Sequence, residues 1–157
     1  MTAMRHFVLI ALFLLPSGIA RANCEDVIAR YMVGQAMLAA DFVAAAEKSG
    51  MSTADINARL KAIAAASAIE EFWITDSQGK AYLNNIGIDF TFSPDPKKQP
   101  QASAFWSLIE GKHAIVIQAA RKREIDDKVF KYVGVKGVDK PRIVQVGISA
   151  ANLPNCK

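Results

Sequence analysis

The sequence predicts an α+β domain in which a long N-terminal helix lies on one face of an antiparallel sheet. Three observations carry that expectation. Residues 113–118, 129–135 and 142–148 are three runs rich in Val and Ile, residues that suit a pleated, half-buried surface. Asp126-Asp127 and the stretch from Gly137 to Pro141 put turn chemistry between them, so the three read as a meander. Well before that block, apolar residues at Val27, Ile28, Tyr31, Met32, Leu38, Phe42 and Ala45 recur with helical spacing.

The chain of 157 residues suits one domain with one core. Its content of 52% hydrophobic and 22% charged residues is that of a globular protein, which excludes a disordered chain. Residues 1–22 read as a secretory signal peptide. Arg5 and His6 precede an apolar run from Phe7 to Leu15, Pro16-Ser17-Gly18 breaks it, and Ala20-Arg21-Ala22 forms a small-residue cleavage site. Cleavage is expected before Asn23, leaving residues 23–157 as an exported domain in the periplasm or outside the cell. The alternative is an uncleaved anchor, for which the apolar run is short. No later stretch reads as a membrane span. Loss of Arg5 and Arg21 from 19 basic residues leaves 17 against 15 acidic ones, which gives no case for nucleic acid.

The elements follow in order. Asn23 is expected to cap the long helix, with Glu25 and Asp26 in its first turn and Gly50 ending it. Ser52-Thr53-Ala54-Asp55 resembles a capping box for a second helix bearing Ile56, Leu60, Ile63 and Ala64. The period then changes. Residues 72–75 and 80–84 read as a hairpin around Asp76-Ser77-Gln78-Gly79, with Phe72 and Ile74 on the face toward the long helix. Residues 85–101 hold Pro94, Pro96 and Pro100, so they are not a central strand. Phe90 and Phe92 make this segment either the roof of a binding site or a crossover that buries both rings. A short helix over residues 102–110 ends at Gly111 and precedes the meander.

Cys24 and Cys156 lie near the two ends of the exported chain. In an oxidising compartment one disulfide is expected, closing nearly the whole chain into a loop. The alternative is two free or intermolecular thiols. Two cysteines and His113 have no metal-ligand spacing, so no metal or other cofactor is expected.

The order helix, helix, hairpin, short helix, three strands resembles the extracytoplasmic Cache sensor domains, relatives of the PAS fold. The residues that carry the resemblance are Phe72-Trp73-Ile74-Thr75-Asp76-Ser77-Gln78-Gly79, Phe90-Thr91-Phe92-Ser93-Pro94-Asp95-Pro96, and Lys122 to Asp127 leading into Phe130-Lys131-Tyr132-Val133-Gly134-Val135. The resemblance implies a single PAS-like Cache domain: a five-stranded antiparallel sheet, the long helix on one face and a small-ligand pocket on the other. It implies binding of organic acids, amino acids or amines without chemistry on the ligand. It also brings Cys24 near Cys156, because the first helix and last strand of such domains run toward the same membrane. Relatives usually sit between two membrane helices and drive signalling or chemotaxis modules. This chain stops at Lys157, so its signal is expected to pass to a partner, a membrane receptor or sensor kinase.

Trp73, Phe105, Trp106 and Tyr132 are the candidate pocket aromatics, against the alternative of plain core packing. Arg121 and Arg123 are the candidate clamp for a ligand carboxylate, against that of a solvated hairpin end. No enzyme is expected. The serines lack a nucleophile elbow, and the neighbours in Glu70-Glu71 and Asp126-Asp127 point to opposite faces of a strand, which is wrong for a shared acid-base site. No glycine-rich phosphate loop is present. The expected function is a small-molecule sensor module. The alternative is a ligand-free interaction module that forms a homodimer through the long helix or docks on a membrane receptor.

Overall fold

The computed structural model describes the backbone of residues 17–156 and the side chains of residues 24–156. Most of the expected signal peptide, residues 1–16, lies outside the described residues. Helix α1 spans Ser17–Lys48 and α2 spans Thr53–Ala65. Strands β1 (Glu71–Thr75) and β2 (Ala81–Asn84) form the hairpin. A 3-10 turn, Ala102–Phe105, runs into α3 (Trp106–Ile109). Strands β3 (Ile115–Ile117), β4 (Arg121–Lys122), β5 (Val129–Lys136) and β6 (Ile143–Ser149) complete the chain.

The α+β expectation holds: the sheet is antiparallel, in the order β2-β1-β6-β5-β3, with β4 also paired to β5. It has six strands where five were expected. The extra one comes from an interruption. Strand β3 pairs with Val133 to Val135 of β5, and β4 pairs with Val129 and Phe130 further along the same strand. Ala119 and Ala120 leave the ladder between them, while the Gln118 N–H still donates to the Tyr132 carbonyl at 3.0 Å.

The helix side of the sheet is an apolar core. Met32, Ala36, Ala39, Ala40, Val43 and Ala46 of α1 meet Val133, Val135, Val144, Val146 and Ile148, with Ile56 and Leu60 of α2 beside Phe72, Ile74 and Leu83. Alanines dominate the buried side of α1, so the helix approaches the sheet closely. Cys24–Lys48 is long and apolar enough, by length and composition, to cross a membrane, although no such stretch was read from the sequence. Its apolar character arises from two sides: one packs on the sheet, and the other bears Val27, Tyr31, Met37 and Leu38 in the open.

Helix α1 is tied down at two places. Cys24 and Cys156 form the disulfide, which spans 132 residues. At the other end Glu47 accepts from Arg142 and Lys140 and pairs with the Tyr82 hydroxyl. Arg142 is almost fully buried and also donates to Asp139 and, at 2.6 Å, to the Tyr82 oxygen. Burial works against the Glu47 carboxylate, but its hydrogen bonds from Lys140, Tyr82 and Arg142 outweigh that and hold its pKa below the ordinary value.

One capping expectation fails and one holds. Asn23 is not a cap, because the preceding residues continue the helix from Ser17. Ser52 does cap α2: its Oγ accepts from the Asp55 N–H at 3.1 Å. Asp55 does not reach back to the Ser52 backbone; its carboxylate accepts a hydrogen bond from the Ser52 hydroxyl instead, at 2.7 Å.

Candidate functional site

The other face of the sheet carries a second core: Trp73, Ala81, Phe92, Phe105, Leu108, Phe130, Tyr132 and Ile143, with Phe90 and Trp106 partly buried against it. Two mid-strand glycines make its shape. A Cβ on Gly134 would meet the Phe105 ring at 2.6 Å, and one on Gly147 would meet the Tyr132 ring at 2.4 Å. Both rings therefore lie flat against backbone, close approaches that only glycine permits. The proline-rich segment folds back onto this core. The Ala81 N–H donates to the Phe90 carbonyl and the Phe92 N–H to the Gly79 carbonyl, both at 2.9 Å. Phe90 then packs edge-on against Trp73 and Phe92, with centroids 5.7 and 5.1 Å apart.

A polar network runs under this roof. Glu71, 4% exposed, stands at the start of β1. Its carboxylate accepts from Trp73 Nε1 at 3.0 Å, from the Tyr132 hydroxyl at 2.7 Å and from Arg123 Nη1. Arg123, 6% exposed, spends Nε and Nη2 on the two oxygens of Asp126 at 2.6 and 2.7 Å. Its guanidinium also lies 4.2 Å from the centre of the Phe130 ring. The Asp126 hydrogen bonds, followed by those to Tyr132 and Glu71, hold Arg123 more firmly protonated than usual. Arg123 in turn holds the Asp126 carboxyl well below the usual carboxylate range. Burial, reinforced by the Glu71 charge, pushes the Tyr132 phenol up.

Next to this network is a small cavity of about 10 Å3. Trp73, Phe90, Phe92 and Tyr132 wall it, and Gln101, Arg123, Glu124, Ile125 and Gln145 complete the lining. Two of the lining residues carry a buried polar atom without a hydrogen-bond partner: Glu124 Oε2 and Gln145 Nε2. The other Glu124 oxygen is engaged, accepting from the N–H groups of Gln101 and Ala102 at 2.6 and 3.2 Å, where it caps the 3-10 turn. Gln145 is 2% exposed and lies at the middle of β6, paired with Trp73 on one side and Gly134 on the other. An unsatisfied acceptor and an unsatisfied donor therefore belong to residues that line one cavity, a costly arrangement unless something occupies it. The volume is that of one water or one ammonium head.

The sequence-predicted residues divide three ways. Trp73, Arg123 and Tyr132 line the cavity. Phe105 and Trp106 belong to the surrounding core: Phe105 rests on Gly134, and Trp106 covers Gly79 of the hairpin turn. Arg121 is exposed on β4 and does not join Arg123. The expected carboxylate clamp therefore does not form, since β4 turns Arg121 outward and Glu71 and Asp126 occupy Arg123. Glu124 and Gln145 were not singled out by sequence, and Glu71 was considered only as half of the Glu70-Glu71 pair. A glutamine inside the apolar run Ile143-Val144-Gln145-Val146 was the available signal. Where an open pocket was expected on this face, the aromatic cluster packs around the small cavity.

A larger open groove, about 990 Å3, lies near the disulfide between Glu25 and Ile28 of α1, Ala119-Ala120, and the tail from Ala150 to Cys156. Lys131 reaches its wall and donates to the Gln118 carbonyl at 3.1 Å. Among the described residues no group of three or more His, Cys, Asp or Glu side chains is placed to hold a metal ion. No family model matches the chain, and no curated protein matches it significantly.

Proposed function

We propose that the chain is an exported sensor module of the Cache, PAS-like kind, which binds a small ammonium-bearing metabolite under the Phe90–Phe92 roof and relays its bound state to a partner protein. The observation that carries this reading is the pair of unpartnered buried atoms, Glu124 Oε2 and Gln145 Nε2, on two residues that line one aromatic-walled cavity. An ammonium group supplies donors for the carboxylate, and aromatic faces favour a cation. An acceptor beside that ammonium, as in an amino acid or a hydroxylated amine, would take the Gln145 N–H. Among the ligand classes implied by the resemblance, a simple organic acid fits least, because the Arg123 guanidinium is already engaged by Glu71 and Asp126. The remainder of such a ligand needs the half-buried Phe90 ring to move outward. That movement is the conformational change a partner would read, selected by the ligand's preference for the open form. The Cys24–Cys156 disulfide supports an oxidising compartment, and the apolar N-terminal helix is compatible with a signal peptide.

The second reading, a ligand-free interaction module, is favoured by how nearly the front core is filled. In it a single water bridges Glu124 and Gln145. Thermal unfolding across amines, amino acids and organic acids separates the two. Primary amines or amino acids should raise the melting temperature by several degrees at saturating concentration, and Glu124→Gln should remove the shift. Stabilisation by organic acids alone would refute the ammonium site. No shift with any compound would leave the ligand-free module.

A further inference from the structure

The two edges of the sheet are treated differently. Beside β2 the chain takes up the edge itself. Lys80 bridges to Thr91, the Ala81 N–H donates to the Phe90 carbonyl, and the Asn84 N–H donates to the Asn57 side chain of α2 at 2.9 Å. Among the described residues no strand lies beyond β3. The register fixes which of its peptide groups are free. The Lys136 N–H donates to the Ala114 carbonyl and the Gln118 N–H to the Tyr132 carbonyl, both at 3.0 Å. Antiparallel bonding alternates along a strand, so Ala114, Val116 and Gln118 face β5, and the peptide groups of Ile115 and Ile117 face outward. Their side chains are 43% and 52% exposed. Lys and Pro, which commonly guard such an edge, are absent from Ile115–Ile117.

We infer that the outer edge of β3 takes up an extended, acidic segment of another protein as an added antiparallel strand. Two outward peptide groups supply the hydrogen bonds, and side chains opposite Ile115 and Ile117 find an apolar neighbour on the helix side of the sheet. Charge selects the occupant. Residues 111–122 contain no acidic residue. Arg121 and Lys122, at the far end of this edge, are exposed and, among the described residues, in no ion pair. A second copy of this chain fits worse. Two-fold pairing about Val116 would lay Arg121 and Lys122 of each copy beside Lys112 and His113 of the other, a like-charge contact at both ends. An antiparallel strand with acidic residues at its N-terminal end places them by Arg121 and Lys122 instead. The docking stands whether or not the front cavity takes a ligand.

The test uses the exported chain, residues 23–157, from which the expected leader is gone and cannot compete for the edge. The probe is the acetylated peptide Asp-Glu-Ser-Thr-Val-Thr-Val, followed by amide hydrogen exchange and NMR titration. The Ile115 and Ile117 amides should gain protection on binding, while Val116, already bonded to β5, should not change. Ile117→Pro removes only an outward N–H, so the variant should fold and lose the peptide. Ile117→Lys, at a half-exposed side chain, serves the same purpose if the proline variant does not fold. Arg121→Glu with Lys122→Glu should weaken binding about tenfold, and a peptide with Lys-Lys in place of Asp-Glu should restore it. No protection of Ile115 and Ile117 at millimolar peptide would overturn the proposal, as would a peptide that binds these variants as well as wild type. A dimer that Ile117→Pro abolishes would give the edge to a second copy and overturn the partner assigned to it.

Discussion

On the helix side of the sheet the core cluster is apolar, and the buried Arg142 beside it is fully paired, with Glu47, Asp139 and Tyr82. On the other side Glu71, Arg123 and Gln145 are buried among aromatic rings. The two faces of one strand thus meet two chemistries: Val144 and Val146 lie on the dry side, while Gln145 between them lies on the polar one. A dry core supplies stability through area removed from water. A buried network that leaves atoms unpaired costs stability, and groups of that kind persist at sites where something else must bind. On the function proposed above, the helix side supports the fold and the aromatic side recognises the ligand.

The assignment can be broken at several strengths. The largest effect belongs to the helix side. Replacing Cys24 and Cys156 by serine should cost about 4–5 kcal/mol on the chain-entropy argument for so long a loop, measured by denaturant unfolding. Ligand binding by the variant that remains folded should be unchanged. On the aromatic side, Glu71→Ala leaves the buried Arg123 with Asp126 alone and strands the Tyr132 hydroxyl. A loss of about 3 kcal/mol is expected, the low end for a broken buried pair because Asp126 keeps its two bonds. Leu60→Ala, on the dry side, should cost a similar 2–5 kcal/mol yet spare the ligand response, which Glu71→Ala should not. Equal effects of the two on binding would dissolve the distinction.

The smallest effect is acid sensitivity. Asp126 has its folded-state pKa depressed by Arg123, and Glu47 has its own depressed by Lys140, Tyr82 and Arg142. Depressed carboxylates stay ionised in the folded chain while the unfolded chain takes up protons. Their stabilisation is therefore present above the unfolded pKa of about 4 and is lost as pH falls below it. Asp126 is 31% exposed, so solvent screens its share, and Asp126→Asn should flatten the acid limb of a melting-temperature profile only slightly.

Features set by short-range pattern were legible in the sequence. The periodicity of α1, the Ser52 cap and the strand meander depend on residues within a few positions of one another. So does the Asp76 turn, where Asp76 Oδ1 accepts from the Gln78 and Lys80 N–H groups at 2.9 Å. The disulfide was legible for another reason: in an exporting context two cysteines have few alternatives. The Asn23 cap was misread because local cap chemistry yields when the chain ahead can also be helical. Arg123 was found, but its role was not, since its partner Glu71 lies 52 residues away and only strand pairing brings the two together. Arg142 and Glu47, 95 residues apart, were missed for the same reason. Gly134 and Gly147 were visible as strand glycines, but which rings they admit depends on tertiary packing.

Gln145→Leu tests the division of labour most directly. It replaces an unpaired buried amide by an apolar side chain of similar size, so stability should hold or rise by about 1 kcal/mol, since the uncompensated polar group is gone. Isothermal titration calorimetry with the amine that best stabilises the wild-type protein is the measurement. The account predicts a folded variant, melting at or above the wild-type temperature, that gives no heat of binding. A variant that binds as well as wild type, or one that melts several degrees lower, would contradict it.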